Sequence, residues 1–196
     1  MVITDPVLLK GRDSVAVCRA AVQGGATMIQ VRWKDGAPAD VLELTRALVA
    51  ALPVPVLVND RVDIALAAGA AGAHLGWDDV PLAALRPHLP AGFVVGVSVG
   101  SSEEADRALG TAADYWSVGP CYATPTKSDA GAPLGPAGFE ALARRAPEGI
   151  PVIGIGGIRA DNARSIIAAG AAGVAVIGAV LGAGDPAAAA RALLDM

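Results

Sequence analysis

The sequence predicts an α/β protein of the (β/α)8 TIM-barrel class, built as a single domain over residues 1–196. Three observations predict it. Short β-branched runs alternate with apolar-periodic stretches eight times, which is what a closed barrel of eight strand–helix units requires. The runs are almost continuously apolar instead of alternating, as parallel strands buried on both faces are. The third observation is an internal echo. Ala67-Ala68-Gly69-Ala70-Ala71-Gly72 leads into the fourth strand, and Ala168-Ala169-Gly170-Ala171-Ala172-Gly173 leads into the eighth. Identical helix-to-strand corners half a barrel apart fit a fourfold or twofold repeat; the competing reading is low-complexity Ala/Gly drift in an Ala-rich chain. A doubly wound sheet ranks second, because it usually needs fewer strands.

In chain order, the first strand is expected at Val2–Thr4, followed by a helix over Asp13–Gln23 that stops at Gly24. The second strand, Thr27–Val31, leads to a helix over Ala39–Leu52. The third, Val56–Asn59, leads to Val62–Ala68, which ends at Gly69. The fourth, Ala73–Leu75, precedes Leu82–Leu89. After the fifth, Val94–Val97, a helix over Ser102–Leu109 has Ser102 as a cap before Glu103-Glu104 and Gly110 as its stop. The sixth strand, Tyr115–Val118, is followed by a helix over Pro136–Arg145 with proline in its first turn. The seventh, Val152–Ile155, leads to Ala160–Ala169, with Asp161 near the start and Gly170 at the end. The eighth, Val174–Ile177, precedes the final helix, Asp185–Leu194. Polar caps, first-turn prolines and terminal glycines are the usual punctuation of such helices.

Composition excludes several classes. Fifteen Lys and Arg against nineteen Asp and Glu give a net charge of −4 and an isoelectric point near 5.1. A nucleic-acid or acidic-membrane binder would carry a basic surface, so neither partner is expected, although a local anion site is compatible with this balance. Hydrophobic residues make up 54% and charged ones 17%, far from the composition of a disordered chain; aromatics, at 4%, leave the core to Ala, Val, Leu and Ile. Cys18 and Cys121 stand far apart with no metal-ligand or disulfide spacing. Met1-Val2-Ile3-Thr4-Asp5-Pro6 shows no basic region followed by an apolar stretch and a small-residue cleavage site, so no secretory leader is expected, and no run of eighteen apolar residues is free of Gly, Pro or charge. A reduced, cytoplasmic, soluble protein is expected, and a homo-oligomer is compatible with the sequence.

Barrels carry their chemistry at the C-terminal ends of the strands. The second strand ends in Gln30-Val31-Arg32-Trp33-Lys34, where alternation would put Gln30, Arg32 and Lys34 on one side as an anion clamp, with Val31 and Trp33 on the other. Asn59-Asp60-Arg61 ends the third strand and Gly76-Trp77-Asp78-Asp79 follows the fourth. Asp60 with Asp78 or Asp79 suits a Mg2+ that keeps several waters and grips substrate phosphates. The competing reading is that these aspartates cap the helices that follow. Ser98 ends the fifth strand as a donor to a ligand oxygen, and Gly96 permits close approach. Gly119–Gly135 is the longest segment without a period, and loops of that length are usually lids or binding loops. Gly154-Ile155-Gly156-Gly157-Ile158 and Ile177-Gly178-Ala179 follow strands seven and eight, where barrels hold a phosphate on backbone N–H groups. His74 reads as a packed or supporting residue and His88 as exposed. No Ser/His/Asp or Cys/His arrangement can be assembled from them, so anion and metal handling without a covalent nucleophile is the expected chemistry.

Taken in order, Gln30–Lys34, Asn59-Asp60-Arg61-Val62-Asp63, His74-Leu75-Gly76 with Asp78-Asp79, Gly96-Val97-Ser98-Val99, Thr124-Pro125-Thr126-Lys127, Ile155-Gly156-Gly157-Ile158 and Gly173–Ile177 resemble the thiamine phosphate synthase family over almost the whole chain. The resemblance implies that hydroxymethylpyrimidine diphosphate and thiazole phosphate react to give thiamine phosphate and pyrophosphate. In that family the C–O bond to the diphosphate breaks first, and the thiazole nitrogen captures the pyrimidine cation, so the same order is expected here. By position, Gln30, Arg32, Lys34, Asn59, Ser98 and Lys127 would bind the pyrimidine diphosphate, with Arg32, Lys34, Lys127 and Ser98 in catalytic roles. Asp60 and Asp79 would hold Mg2+. Thr124, Pro125 and Thr126, with Gly157, Ile177 and Gly178, would hold the thiazole phosphate; Val31, Trp33 and Gly156 complete the substrate-binding set. Four positions depart from the family: Trp77 for Gln, Gly100 for His, Ala123 for Pro, and Gly178 for Ser, which removes a hydroxyl from the thiazole phosphate site. The rival readings are a thiazole tautomerase-like paralogue and a non-catalytic barrel that binds a thiamine precursor.

Overall fold

A computed structural model of the chain describes residues 1–124 and 131–195. Eight strands lie in one sheet in chain order: β1 (Val2–Ile3), β2 (Ile29–Val31), β3 (Val56–Asn59), β4 (Gly72–Leu75), β5 (Val94–Val99), β6 (Tyr115–Val118), β7 (Val152–Ile155) and β8 (Gly173–Ala175). Pairing is parallel from β1 to β3 and from β5 to β8. Just after β8, Val176 bridges Val2 in parallel. The Ile3 N–H donates to the Val176 carbonyl at 2.9 Å, and the Val176 N–H to that of Met1 at 3.1 Å. A sequential parallel order that leads back to β1 is the topology of the (β/α)8 barrel.

Among the described residues there are ten α-helices: α1 (Pro6–Leu9), α2 (Ser14–Gln23), α3 (Pro38–Ala51), α4 (Val62–Ala68), α5 (Leu82–Leu85), α6 (Ser102–Ala108), α7 (Gly135–Ala143), α8 (Ala163–Ala168), α9 (Gly178–Leu181) and α10 (Pro186–Ala192). None is long and apolar enough to cross a membrane. The chain divides into two compact units, Met1–Ala73 with Val176–Met196, and His74–Ala175. In the first, α2 packs on α3 and α10. Gly24 lets α10 approach, because a Cβ there would stand 2.2 Å from the Ala187 carbonyl oxygen. Ile29, Leu48 and Leu57 are fully buried in this unit, and Trp116, Phe139 and Ile166 in the second.

The repeated hexapeptide forms the same corner twice. Gly69 and Gly170 both take positive φ, +70° and +97°. The next two residues bond alike: Ala70 donates to Ala65 and Ala171 to Ile166, while Ala71 donates to Val56 and Ala172 to Val152. Each pair of bonds closes the preceding helix and starts the next strand, so the echo is a structural repeat.

Several boundaries differ from expectation. Helices α1 and α9 have four residues each, too few to show a period, and were not anticipated from the sequence. Strand β8 stops at Ala175; Ile177 instead precedes α9, with its carbonyl accepting from Val180 and Leu181. The stretch Leu82–Leu89 splits into α5 and a 3₁₀ turn over Arg86–His88, where Pro87 has no N–H to continue an α-helix. Helix α6 is capped by Ser101, not Ser102: its Oγ accepts from the Glu104 N–H at 3.2 Å, and the Glu104 carboxylate reaches back to the Gly100 N–H. Helix α8 starts at Ala163, because the Asn162 side chain ties down the Arg159 N–H at 2.8 Å and closes a turn ahead of it.

Candidate functional site

In the first unit the candidate residues follow β2, β3 and β8. Gln30 is 3% exposed in the middle of β2, its Nε2 3.6 Å from Met1 Sδ. Val31 ends the strand and is buried. The expected alternation of Gln30, Arg32 and Lys34 therefore stops at Gln30, and a turn begins. Its cause is Thr4: the Thr4 Oγ accepts the Arg32 N–H at 2.9 Å and donates to the Arg32 carbonyl at 3.3 Å. Trp33 is half-buried and Lys34 exposed, with Gly36 closing the turn under the Trp33 ring.

Arg32 does not stand alone. Its Nη1 lies 3.4 Å from Asp5 Oδ2, with both side chains largely buried. Asp5 is also the N-cap of α1, its other oxygen accepting from Val7 and Leu8 at 3.0 and 3.2 Å. One carboxylate thus starts a helix and holds a guanidinium. Asp5 was missed in the sequence reading, yet it stands just beyond the first strand, where the test applied to the other strand ends would have found it.

At the end of β3, the Arg61 N–H donates to the Asn59 carbonyl at 2.8 Å, turning the chain tightly around Asp60. Asp60 takes φ +64°, in the left-handed region that Asp tolerates better than most residues. Arg61, not Asp60, is the cap residue of α4, and its side chain makes no capping hydrogen bond. Asp60 thus stands one position ahead of the cap residue. Gly178 opens α9 and is exposed, while Ile177 is half-buried before it.

The second unit holds the remaining positions. The Asp79 Oδ2 accepts the Gly76 N–H at 2.7 Å, fixing the loop after β4. Neither Asp78 nor Asp79 caps α5, whose cap residue is Pro81. Trp77 lies under the Arg107 guanidinium, 6.0 Å from the ring centroid. Ser98, near the end of β5, is 3.0 Å from His74 Nε2, and His74 Nδ1 is 3.0 Å from the Tyr115 hydroxyl. Gly96 serves this cluster: the close approach it permits is made by the Tyr115 ring, 2.0 Å from where a Cβ would be.

Gly156 and Gly157 take φ +91° and +64°. The Gly156 carbonyl accepts the Tyr122 N–H at 2.9 Å and the Gly157 carbonyl accepts from Asn162 Nδ2 at 3.0 Å. A Cβ on Gly157 would stand 2.5 Å from the Ala123 carbonyl oxygen. These glycines therefore let the turn after β7 lie against Tyr122 and Ala123. Thr124 is half-buried at the end of that segment. Pro125, Thr126 and Lys127 lie outside the described residues.

Carboxylate oxygens are the donors that a hard divalent cation takes. Asp60 in the first unit and Asp79 in the second each carry a carboxylate, and Mg2+ is commonly held by one or two carboxylates with water and substrate phosphates completing its shell. Among the described residues no group of three or more His, Cys, Asp or Glu side chains could form an all-protein cage. The two thiols offer no nucleophile: burial raises Cys18 to about 12 and Cys121 to about 11.

Residues 1–180 match the family described as thiamine monophosphate synthase. The thiamine-phosphate synthase of Roseiflexus castenholzii is 46% identical, covering 100% of this chain and 86% of its own. That of Moorella thermoacetica is 47% identical, covering 95% of this chain and 89% of its own. Among solved structures, thiamine phosphate pyrophosphorylase from Pyrococcus furiosus superposes with a TM-score of 0.89 at 37% identity, over 99% of this chain and 92% of that one.

Proposed function

The chain belongs to the thiamine monophosphate synthase family, and on that footing we propose that it is a transferase joining hydroxymethylpyrimidine diphosphate to thiazole phosphate, with release of pyrophosphate. The observation that carries this reading is the family match over nearly the whole chain. In the reaction, the bond between the pyrimidine methylene and the diphosphate oxygen breaks, and its electron pair leaves with pyrophosphate. The lone pair of the thiazole nitrogen then forms the new C–N bond.

Arg32, Lys34 and Lys127 supply positive charge to the diphosphate as negative charge builds on its oxygens. Asp5 holds the Arg32 guanidinium in place before substrate arrives. Gln30, Asn59 and Ser98 contribute polar contacts to the pyrimidine diphosphate, flanked by Val31 and Trp33. Asp60 and Asp79 are the proposed Mg2+ ligands; what the ion supplies when bound is charge compensation for the leaving group. Thr124, Pro125 and Thr126, with Gly156, Gly157, Ile177 and Gly178, are proposed to hold the thiazole phosphate. Support for the last pair comes from α9, since a short extra helix after the eighth strand is a frequent phosphate-binding element in this fold class. The enzyme is proposed to be cytoplasmic and to act on small molecules alone.

The deciding experiment mixes both substrates with the protein and Mg2+ and measures pyrophosphate. Release that needs both substrates and the ion supports the reading. Isomerisation of a thiazole substrate alone, or binding of either compound without turnover, would replace it with a tautomerase or a non-catalytic barrel.

A further inference from the structure

The second unit contains a hydrogen-bonded row of three side chains that the sequence reading did not assemble. The Tyr115 hydroxyl lies 3.0 Å from His74 Nδ1, and Ser98 Oγ lies 3.0 Å from His74 Nε2. Tyr115 and His74 are 6% and 7% exposed, whereas Ser98 is half-buried, so the row runs from the interior towards the accessible end of β5. The rings of Tyr115 and His74 stack with centroids 5.6 Å apart. Gly96, opposite Tyr115 in the β5–β6 register, leaves the Tyr ring its place; any side chain there would displace it.

A neutral imidazole has one donor and one acceptor nitrogen, and the partner of one decides the role of the other. Two arrangements therefore exist. If Tyr115 donates to Nδ1, then Nε2 carries the proton and donates to Ser98 Oγ, and the Ser98 hydroxyl proton is directed away from His74. If Nδ1 carries the proton, Ser98 must donate to Nε2, and its oxygen offers only lone pairs to a ligand. Of the two neutral arrangements, only the first makes Ser98 a donor.

We infer that Tyr115 is a positioning residue that acts through His74 to hold Ser98 as a hydrogen-bond donor to an electron-rich atom of the pyrimidine diphosphate. This rests on the proposed role of Ser98 in the synthase reaction. No proton is transferred; the row sets which way one hydroxyl points.

The sequence has two histidines, His74 and His88, so ¹⁵N chemical shifts of the ligand-free protein report the tautomer directly, with His88→Ala assigning the signals. The expected result is a protonated Nε2 and an unprotonated Nδ1 on His74. In Tyr115→Phe, the two nitrogens should move towards averaged shifts, because the donor that selects the tautomer is gone. That variant should lower kcat about fivefold, the effect of one lost hydrogen bond, with KM for thiazole phosphate unchanged. On a Ser98→Ala background, Tyr115→Phe should cost nothing further, since the residue through which it acts is already removed. A protonated Nδ1 in the wild type overturns the inference, and so does a full fivefold loss from Tyr115→Phe when Ser98 is absent. Should the protein release no pyrophosphate at all, the synthase reading fails, while the tautomer still tests the row by itself.

Discussion

Gly178 stands where the family resemblance leads to Ser, and its surroundings show what restoring that hydroxyl would do. It is the first residue of α9, its φ lies outside the left-handed region, and an added Cβ would meet only Leu8 Cδ1, at 3.8 Å. That is ordinary contact, so Gly178→Ser should fold without rearrangement. Replacing Gly in a helix with Ser gains up to about 0.5 kcal/mol in propensity, or roughly 1–2 °C in Tm for a chain of this size. A hydrogen bond to a charged phosphate is worth about 1.5–3 kcal/mol, of which water in the glycine protein already recovers part. The net gain should be about 1 kcal/mol, near fivefold in affinity. Steady-state kinetics should show KM for thiazole phosphate falling about fivefold, with KM for the pyrimidine diphosphate unchanged. Gly157→Ala is the contrasting control. There the backbone is left-handed and a Cβ would stand 2.5 Å from a carbonyl oxygen, so about 2–4 kcal/mol of stability should be lost. If Gly178→Ser weakens both substrates equally, the thiazole phosphate does not bind beside α9. If it unfolds the protein, the argument from available space is wrong.

Asp60→Ala and Asp79→Ala should each lower turnover more than about 100-fold, or roughly 2.7 kcal/mol, and near-wild-type rates in both would remove them from the site. Gly96→Ala should cost about 1–3 kcal/mol by forcing the Tyr115 ring aside, read as a lowered Tm; an unchanged Tm would mean the ring moves freely. Asp5→Asn keeps an oxygen to cap α1 but loses the charge facing Arg32, whereas Asp5→Ala loses both. The alanine variant should therefore be less stable by about 1 kcal/mol, and equal melting temperatures would show that the cap contributes nothing. With burial raising their thiols to about 12 and 11, Cys18 and Cys121 should resist a thiol reagent at pH 8 in the folded protein and both react once it unfolds. Rapid labelling of the native protein would contradict that burial.

The sequence by itself determined the strand count, the parallel class and the two identical corners, because these depend on local chemistry. Val56–Asn59, Tyr115–Val118 and Val152–Ile155 are strands with the expected bounds, since a buried parallel strand is written as a short β-branched run. Four-residue helices such as α1 and α9 carry no period to read. What only the tertiary structure decided is which groups meet across distant positions. The Thr4 and Asp5 contacts that stop β2 and hold Arg32 span about the first thirty residues, and the row of Tyr115, His74 and Ser98 draws on three strands. Periodicity records which face a residue belongs to. It does not record the partner on that face, which is set by strand register and by the space that a glycine such as Gly96 leaves open.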